Sequence, residues 1–143
     1  MRLCIPASVA SALRAQLAAA YPEEGCGLLL GRDGERREVT ALAPTANAHA
    51  GARATRYLIA PEDFLAAERA ARAAGIEVLG FYHSHPDAPP APSAFDLERA
   101  WAYYSYVIVE VAKGVPRELQ SFRLRADATG FEPERVEIVA AGS

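Results

Sequence analysis

Apolar side chains recur along this chain with two different periods, and the switches between them mark the elements. Residues 1–5 read as a short strand, and Pro6 then stands where the first turn of a helix tolerates proline. Val9, Leu13 and Leu17 follow at intervals of four, with Tyr21 extending the stripe, which predicts an amphipathic helix over 7–20 that Pro22 ends. Gly25 to Gly31 is a continuous apolar run around Leu28-Leu29-Leu30, as in a buried strand. Arg32-Asp33-Gly34-Glu35 carries an Asp-Gly turn signal, so 36–43 is expected to return as the second strand of a hairpin. After a loop over 44–53, Thr55 to Ile59 reads as a further strand. Pro61 opens a second helix in which Phe64, Leu65, Glu68 and Ala71 have helical spacing, and Gly75 closes it.

Ile76 to His85 predicts a central strand. Pro86 to Pro92 holds four prolines in seven residues and can only be a rigid, non-helical loop. Ser93 to Ala102 reads as a third helix, Ser105 to Val111 is the strongest strand signal in the chain, and Glu118 to Arg125 and Arg135 to Val139 complete the pattern. The sum is about eight strands and three helices. Strands succeed one another without a helix between each pair, so the expected class is α+β, with a mixed, mostly antiparallel sheet flanked by helices rather than a doubly wound fold.

Composition narrows the setting without naming a chemistry. A chain of 143 residues, 51% apolar and 23% charged, suits one globular domain over 1–143. The net charge is −3 and basic residues sit in short mixed groups such as Arg32 to Arg37, which argues against nucleic acid as a partner. No apolar stretch approaches the roughly 20 residues that span a bilayer, so no membrane partner is expected. Arg14 and Gln16 interrupt what would have to be a secretory h-region, and two cysteines, Cys4 and Cys26, make no disulfide framework. Both features favour the cytoplasm.

The chemistry lies between residues 83 and 96. On a strand, His83 and His85 project from the same face with Cα atoms roughly 6.5–7 Å apart, and two imidazoles so placed can converge on one metal with bonds of about 2.0–2.1 Å. The proline-rich loop turns the chain back and brings Asp96 into the first turn of the next helix, where a carboxylate can complete a His, His, Asp set. Three protein ligands leave a fourth position for water, the pattern of a catalytic zinc site. A base must still accept the proton of that water, and Glu23 or Glu24, at the change from helix to strand, is within reach of such a role. Ser93, three residues before Asp96, is placed to support a developing oxyanion. Read alone, Ser93-x-x-Asp96 is also a helix capping box, and the two roles are compatible.

His83-x-His85-Pro86, six residues, then Ser93-x-x-Asp96 resembles the H-x-H-P…S-x-x-D signature of the JAMM (MPN-plus) zinc metallopeptidases. Glu24-Gly25-Cys26-Gly27-Leu28-Leu29-Leu30-Gly31 resembles their E-x-x-G-apolar-G strand, and that pattern selects Glu24 over Glu23 as the general base. The resemblance covers nearly the whole chain. It implies a JAMM/cytidine-deaminase-like fold, one Zn2+ held by His83, His85 and Asp96, catalysis by Glu24 and Ser93, and room for a homodimer. The loops at 44–54 and 112–117 are short for segments that grip ubiquitin, so the chain is more similar to compact stand-alone bacterial members acting on the C-terminal tail of a ubiquitin-like or sulfur-carrier protein. An amidase for small amino-acid conjugates and an inactive MPN-type interaction scaffold are the alternatives.

Other polar and aromatic positions have plainer readings. Cys26 reads as a small apolar strand residue rather than a nucleophile, and His49 as a surface loop residue. Asn47 and Arg53 share that loop and are candidates for substrate contact. Trp101, Tyr103, Tyr104 and Tyr106 read as core and sheet surface, and the Asp87 to Ala91 segment as a gate or, given its prolines, a fixed wall.

Overall fold

The computed structural model describes residues 2–140. Seven strands and three helices follow one another among them: β1 (Arg2–Pro6), α1 (Ala7–Ala20), β2 (Cys26–Arg32), β3 (Arg37–Thr45), α2 (Pro61–Ala73), β4 (Glu77–Pro86), α3 (Ala94–Glu98), β5 (Ser105–Ala112), β6 (Val115–Leu124) and β7 (Phe131–Val139). The strands pair in the order β1-β3-β2-β4-β5-β6-β7, and β7 returns to β1, so the sheet closes on itself. The β1–β3, β1–β7 and β4–β5 pairings are parallel and the other four antiparallel, as a mixed, mostly antiparallel sheet requires.

Two apolar clusters cover the two faces of the central strands. Leu13 and Leu17 of α1 pack with Leu3, Ile5, Leu29, Val39, Leu79, Tyr82, Val107, Val109 and Val111. Ala67 and Ala71 of α2 pack with Leu28, Leu30 and Val78, joined by half-buried Phe64 and Phe81. The alternation Leu28, Leu29, Leu30 between the two clusters explains why a strand covered on both sides reads as a continuous apolar run.

In β4 the alternation contains an extra residue. Leu29 faces Gly80 and Leu30 faces Val78, so the ladder shifts by one at Leu79. That shift puts Val78 and Phe81, an odd number of residues apart, on the α2 face, and carries His83 and His85 onto the same face. Gly80 leaves no room for a side chain between β4 and β5: a Cβ there would lie 1.9 Å from the carbonyl oxygen of Ser105.

The eighth expected strand, Thr55 to Ile59, does not form, and the count is seven. Its backbone groups find partners inside the loop instead of in a ladder. Arg56 N–H donates to Ala52 O at 2.8 Å, Leu58 N–H to Asn47 Oδ1 at 3.2 Å, and Leu58 O accepts Ala48 N–H at 2.8 Å. Helix α3 is also shorter than expected. It stops at Glu98, and the chain passes through Tyr103 at φ +84° before entering β5, with the Trp101 N–H donating to Tyr106 Oη at 2.7 Å. No helix among the described residues is long and apolar enough to cross a membrane.

The tight approach at Gly80 yields a stability prediction. Gly80→Ala must push β4 away from β5 and is expected to cost about 1–3 kcal/mol, the range of an overpacked core site, seen as a lowered midpoint in urea with an unchanged slope.

Candidate metal centre

His83 and His85 leave the α2 face of β4 side by side, and Asp96 reaches them from α3. His83 Nε2 lies 3.1 Å from His85 Nε2, and Asp96 Oδ2 lies 3.5 Å from the first and 3.3 Å from the second. Three atoms each about 2.05 Å from one ion at tetrahedral angles lie about 3.3 Å from one another. The observed triangle therefore fits a single ion of that bond length, and these three residues could hold a metal. All three side chains are buried.

Each ligand is aimed by a neighbour. The Nδ1–H of His85 donates to Pro89 O at 2.8 Å, which leaves the Nε2 lone pair for the centre. The proline-rich segment that supplies this carbonyl is pinned at its start. Asp87, at φ +54°, donates its N–H to Val111 O at 2.8 Å, and its carboxylate accepts from Lys113 N–H at 2.7 Å and from Tyr21 Oη–H at 2.5 Å. Asp96 is the third residue of α3, and its Oδ2 accepts the Ser93 N–H at 2.8 Å while Ser93 Oγ accepts the Asp96 N–H at 3.1 Å. The capping box and the ligand set are thus the same residues. The ring of Tyr57 stacks on His83 at 4.3 Å between centroids and 22° between planes.

The three side chains of the triangle differ in how their surroundings shift them: burial would lower His85, but the Asp96 carboxylate and the Pro89 carbonyl outweigh it and raise its pKa. Burial lowers the His83 imidazolium, so the ring is neutral at physiological pH, with Asp96 opposing that shift only in part. Burial would raise Asp96, but the two imidazoles and the Ser93 N–H outweigh it and hold the carboxyl well below the usual range. Glu24, 4% exposed, lies at the junction of α1 and β2. Burial pushes its carboxyl up to about 8, with Asp96 adding to the rise and His85 opposing it. Its Oε1 and the Nδ1 of His83 are the two buried side-chain atoms without a hydrogen-bond partner among the described residues; the Nδ1 lies on the side of the ring away from the triangle, so of the two only the glutamate oxygen is available to the centre.

The backbone explains the glutamate's place. Gly25 N–H donates to Ser84 Oγ at 2.9 Å and Ser84 N–H to Gly25 O at 3.1 Å, so the residue after Glu24 is tied to the residue between the two histidines. Gly27 is glycine because a Cβ would sit 2.3 Å from the Tyr82 hydroxyl. Glu23 instead pairs with Arg53 at 3.3 Å on the surface.

Beside the centre runs a groove of about 490 Å3 walled by Tyr57, Phe64, Phe81, Phe95, Tyr104 and Tyr106, with Asp96 itself in its lining. Trp101 stands 70% exposed at its rim. The aromatic cluster expected to be core and sheet surface is thus divided: Tyr106 is buried in the sheet and also walls the groove, Trp101 and Tyr104 line the groove, and Tyr103 is exposed outside it. Asn47 and Arg53 do not line it; their polar groups are engaged within their own loop and with Glu23 and Glu24. His49 meets the edge of Phe95 at 5.9 Å. Cys26, opposite His83 in the ladder, is fully buried and touches Thr45 and the Ala46 carbonyl. Sequence reasoning missed Tyr57, Ser84 and the Pro89 carbonyl. The register of Ser84 between two ligands was the one signal available.

Comparison with known proteins places these features in a wider set. A family model described as prokaryotic homologs of the JAB domain matches residues 6–125. A protein of Haloferax volcanii named desampylase is 43% identical over 102 residues, 71% of this chain and 72% of its own. A Thermus thermophilus protein named as a probable TtuB-protein conjugate cleaving protease is 38% identical over 106 residues, 74% of this chain and 68% of its own. A solution structure from Desulfitobacterium hafniense superposes with a TM-score of 0.84 at 30% identity, covering 96% of this chain and 93% of its own. A JAB1/MPN domain protein from Archaeoglobus fulgidus, 19% identical, shares the fold with a TM-score of 0.57 over 97% of this chain and 99% of its own.

The position of Glu24 makes the metal-free protein pH-sensitive. Its native pKa of about 8 lies above the unfolded value, so its contribution is fully present below the ordinary carboxyl range and is lost as pH rises towards about 8, because the unfolded chain ionises first. Glu24→Gln is expected to raise the melting temperature of the metal-free protein at pH 8 and to leave it unchanged at pH 4. An equal shift at both pH values would count against a buried, protonated Glu24.

Proposed function

This chain belongs to the prokaryotic JAB-domain family, and from that membership we propose that it is a zinc-dependent isopeptidase that hydrolyses an amide bond at the C-terminal tail of a ubiquitin-like or sulfur-carrier protein. The observation that carries the proposal is the triangle of His83 Nε2, His85 Nε2 and Asp96 Oδ2, with sides of 3.1, 3.3 and 3.5 Å, under a buried glutamate. Relatives named desampylase and TtuB-protein conjugate cleaving protease support a protein conjugate as the substrate class.

His83, His85 and Asp96 would hold the zinc. When bound, zinc supplies a Lewis acid that polarises the scissile carbonyl and lowers the pKa of water. Glu24 accepts the proton of the attacking water and delivers it to the leaving amine, so the two proton transfers need one carboxyl and no covalent intermediate. Burial raises the Glu24 carboxyl in the metal-free protein, and a bound cation would favour its ionised, proton-accepting form. Ser93 Oγ accepts the Asp96 N–H, which leaves its own O–H free to donate to the oxyanion. The groove lined in part by Asp96 receives the extended tail, whose small terminal residues bring the scissile bond to the ligands. Two unpaired, buried cysteines support a cytoplasmic setting.

Two variants separate the roles. Glu24→Ala is expected to retain one zinc per chain and to lose about 10²–10⁴-fold in turnover, the usual worth of a positioned acid–base, whereas His85→Ala loses zinc and turnover together. Metal analysis beside a cleavage assay reads both, and normal turnover by Glu24→Ala would remove the base assignment. A folded ubiquitin-like carrier extended by one residue should also be cut faster than a short Gly-Gly-X peptide. Equal rates would favour a small-conjugate amidase.

A further inference from the structure

Glu24 belongs to no helix or strand, so its backbone polar groups must be satisfied from elsewhere. Both are satisfied by the loop between β3 and α2. Its N–H donates to Arg53 O at 2.7 Å, and its C=O accepts from Asn47 Nδ2 at 3.0 Å. The same Asn47 amide donates to Arg56 O at 2.9 Å, and its Oδ1 accepts the N–H groups of His49 at 3.0 Å and Leu58 at 3.2 Å. An asparagine side chain offers two donors and one oxygen with two lone pairs, and here all of them are in use.

Two consequences set Asn47 apart from an ordinary loop residue. The buried Oε1 of Glu24 has no hydrogen-bond partner among the described residues, so no polar contact at that oxygen fixes the carboxyl; its place follows from the place of the Glu24 backbone. The C-terminal side of that backbone is tied to β4 through Gly25 and Ser84, and the carbonyl of Glu24 itself is held by Asn47. The same amide also holds Leu58, the neighbour of Tyr57, whose ring stacks on the ligand His83. One side chain therefore spans the acid on one side and the packing partner of a ligand on the other.

We infer that Asn47 is a positioning residue, which fixes the backbone of Glu24 beside the centre by holding its carbonyl from the β3–α2 loop. The inference rests on the reading of Glu24 as the base. It requires donors at this position. Aspartate keeps the size and the acceptors for His49 and Leu58 but cannot donate to Glu24 O. Alanine loses both functions.

The test uses the full chain carrying Asn47→Ala or Asn47→Asp, with Glu24→Ala measured in parallel. Asn47→Asp, which keeps the acceptor for Leu58 and so the support of Tyr57 against His83, should bind one zinc with unchanged affinity and leave the absorption spectrum of the cobalt-substituted protein unchanged. kcat should fall about 10–100-fold with KM within about twofold, the loss that follows from misplacing a catalytic group by a fraction of an ångström to an ångström. Amide exchange in the metal-free protein adds a readout independent of turnover: the Glu24 N–H should exchange about tenfold faster or more in both variants, as expected of local opening of its segment. If Asn47→Asp behaves as the natural protein while Asn47→Ala does not, the side chain serves the loop alone and the inference is overturned. It is likewise overturned if the loss of activity in Asn47→Asp follows loss of zinc or a changed cobalt spectrum. Glu24→Ala inactive with both Asn47 variants fully active sinks this inference alone, and Glu24→Ala fully active sinks the base assignment beneath it.

Discussion

Three side-chain atoms that could hold a metal meet within 3.5 Å of one another on buried residues beside an open groove, and the surrounding elements are arranged around that convergence. A carboxylate removed from water is costly unless it is hydrogen-bonded and countered. Asp96 meets that cost through two imidazoles and the Ser93 N–H, which outweigh burial and keep it ionised. A second carboxyl beside it has no such support. Glu24 therefore retains its proton to about pH 8. A divalent cation at the triangle would favour ionisation of the same group, which links occupation of the centre to the charge of the proposed base.

The barrel achieves the convergence with few parts. β4 carries two ligands on one face and, between them, Ser84, which faces the other way and ties down the backbone next to Glu24. The proline-rich segment supplies a carbonyl that orients His85 and is itself anchored at Asp87. The one-turn helix α3 is stabilised at its N-terminus by the same contacts that aim Asp96. Stability and ligand placement share side chains here, so local folding and preorganisation of the centre are one process.

Much of this was legible in the chain. α1 was readable to the residue because Leu13 and Leu17 recur at helical spacing and prolines stand at both ends. The hairpin of β2 and β3 followed from Asp33-Gly34. His83, His85 and Asp96 were legible through their spacing, because alternation on a strand and a capped first turn dictate where those side chains point. The strand expected over Thr55 to Ile59 was not legible. Its composition suits a sheet, but Asn47 and Ala48 claim the hydrogen bonds of Leu58, a competition between partners distant in sequence. The length of α3 was missed for a like reason: the hydroxyl of Tyr106, on the next strand, takes the Trp101 N–H.

The sequence by itself determined the α+β class, the three residues that could hold a metal and the presence of a glutamate at the helix-to-strand junction, because these depend on residue type and local periodicity. Tertiary structure alone decided the closure of the sheet, through the parallel pairing of β1 with β7, and the face on which the histidines emerge, through the extra residue at Leu79. It also decided the states of Glu24 and Asp96. Two acidic side chains that are alike in solution are driven in opposite directions by burial and by the neighbours each one meets, and those neighbours are brought together only when strands far apart in the chain are paired.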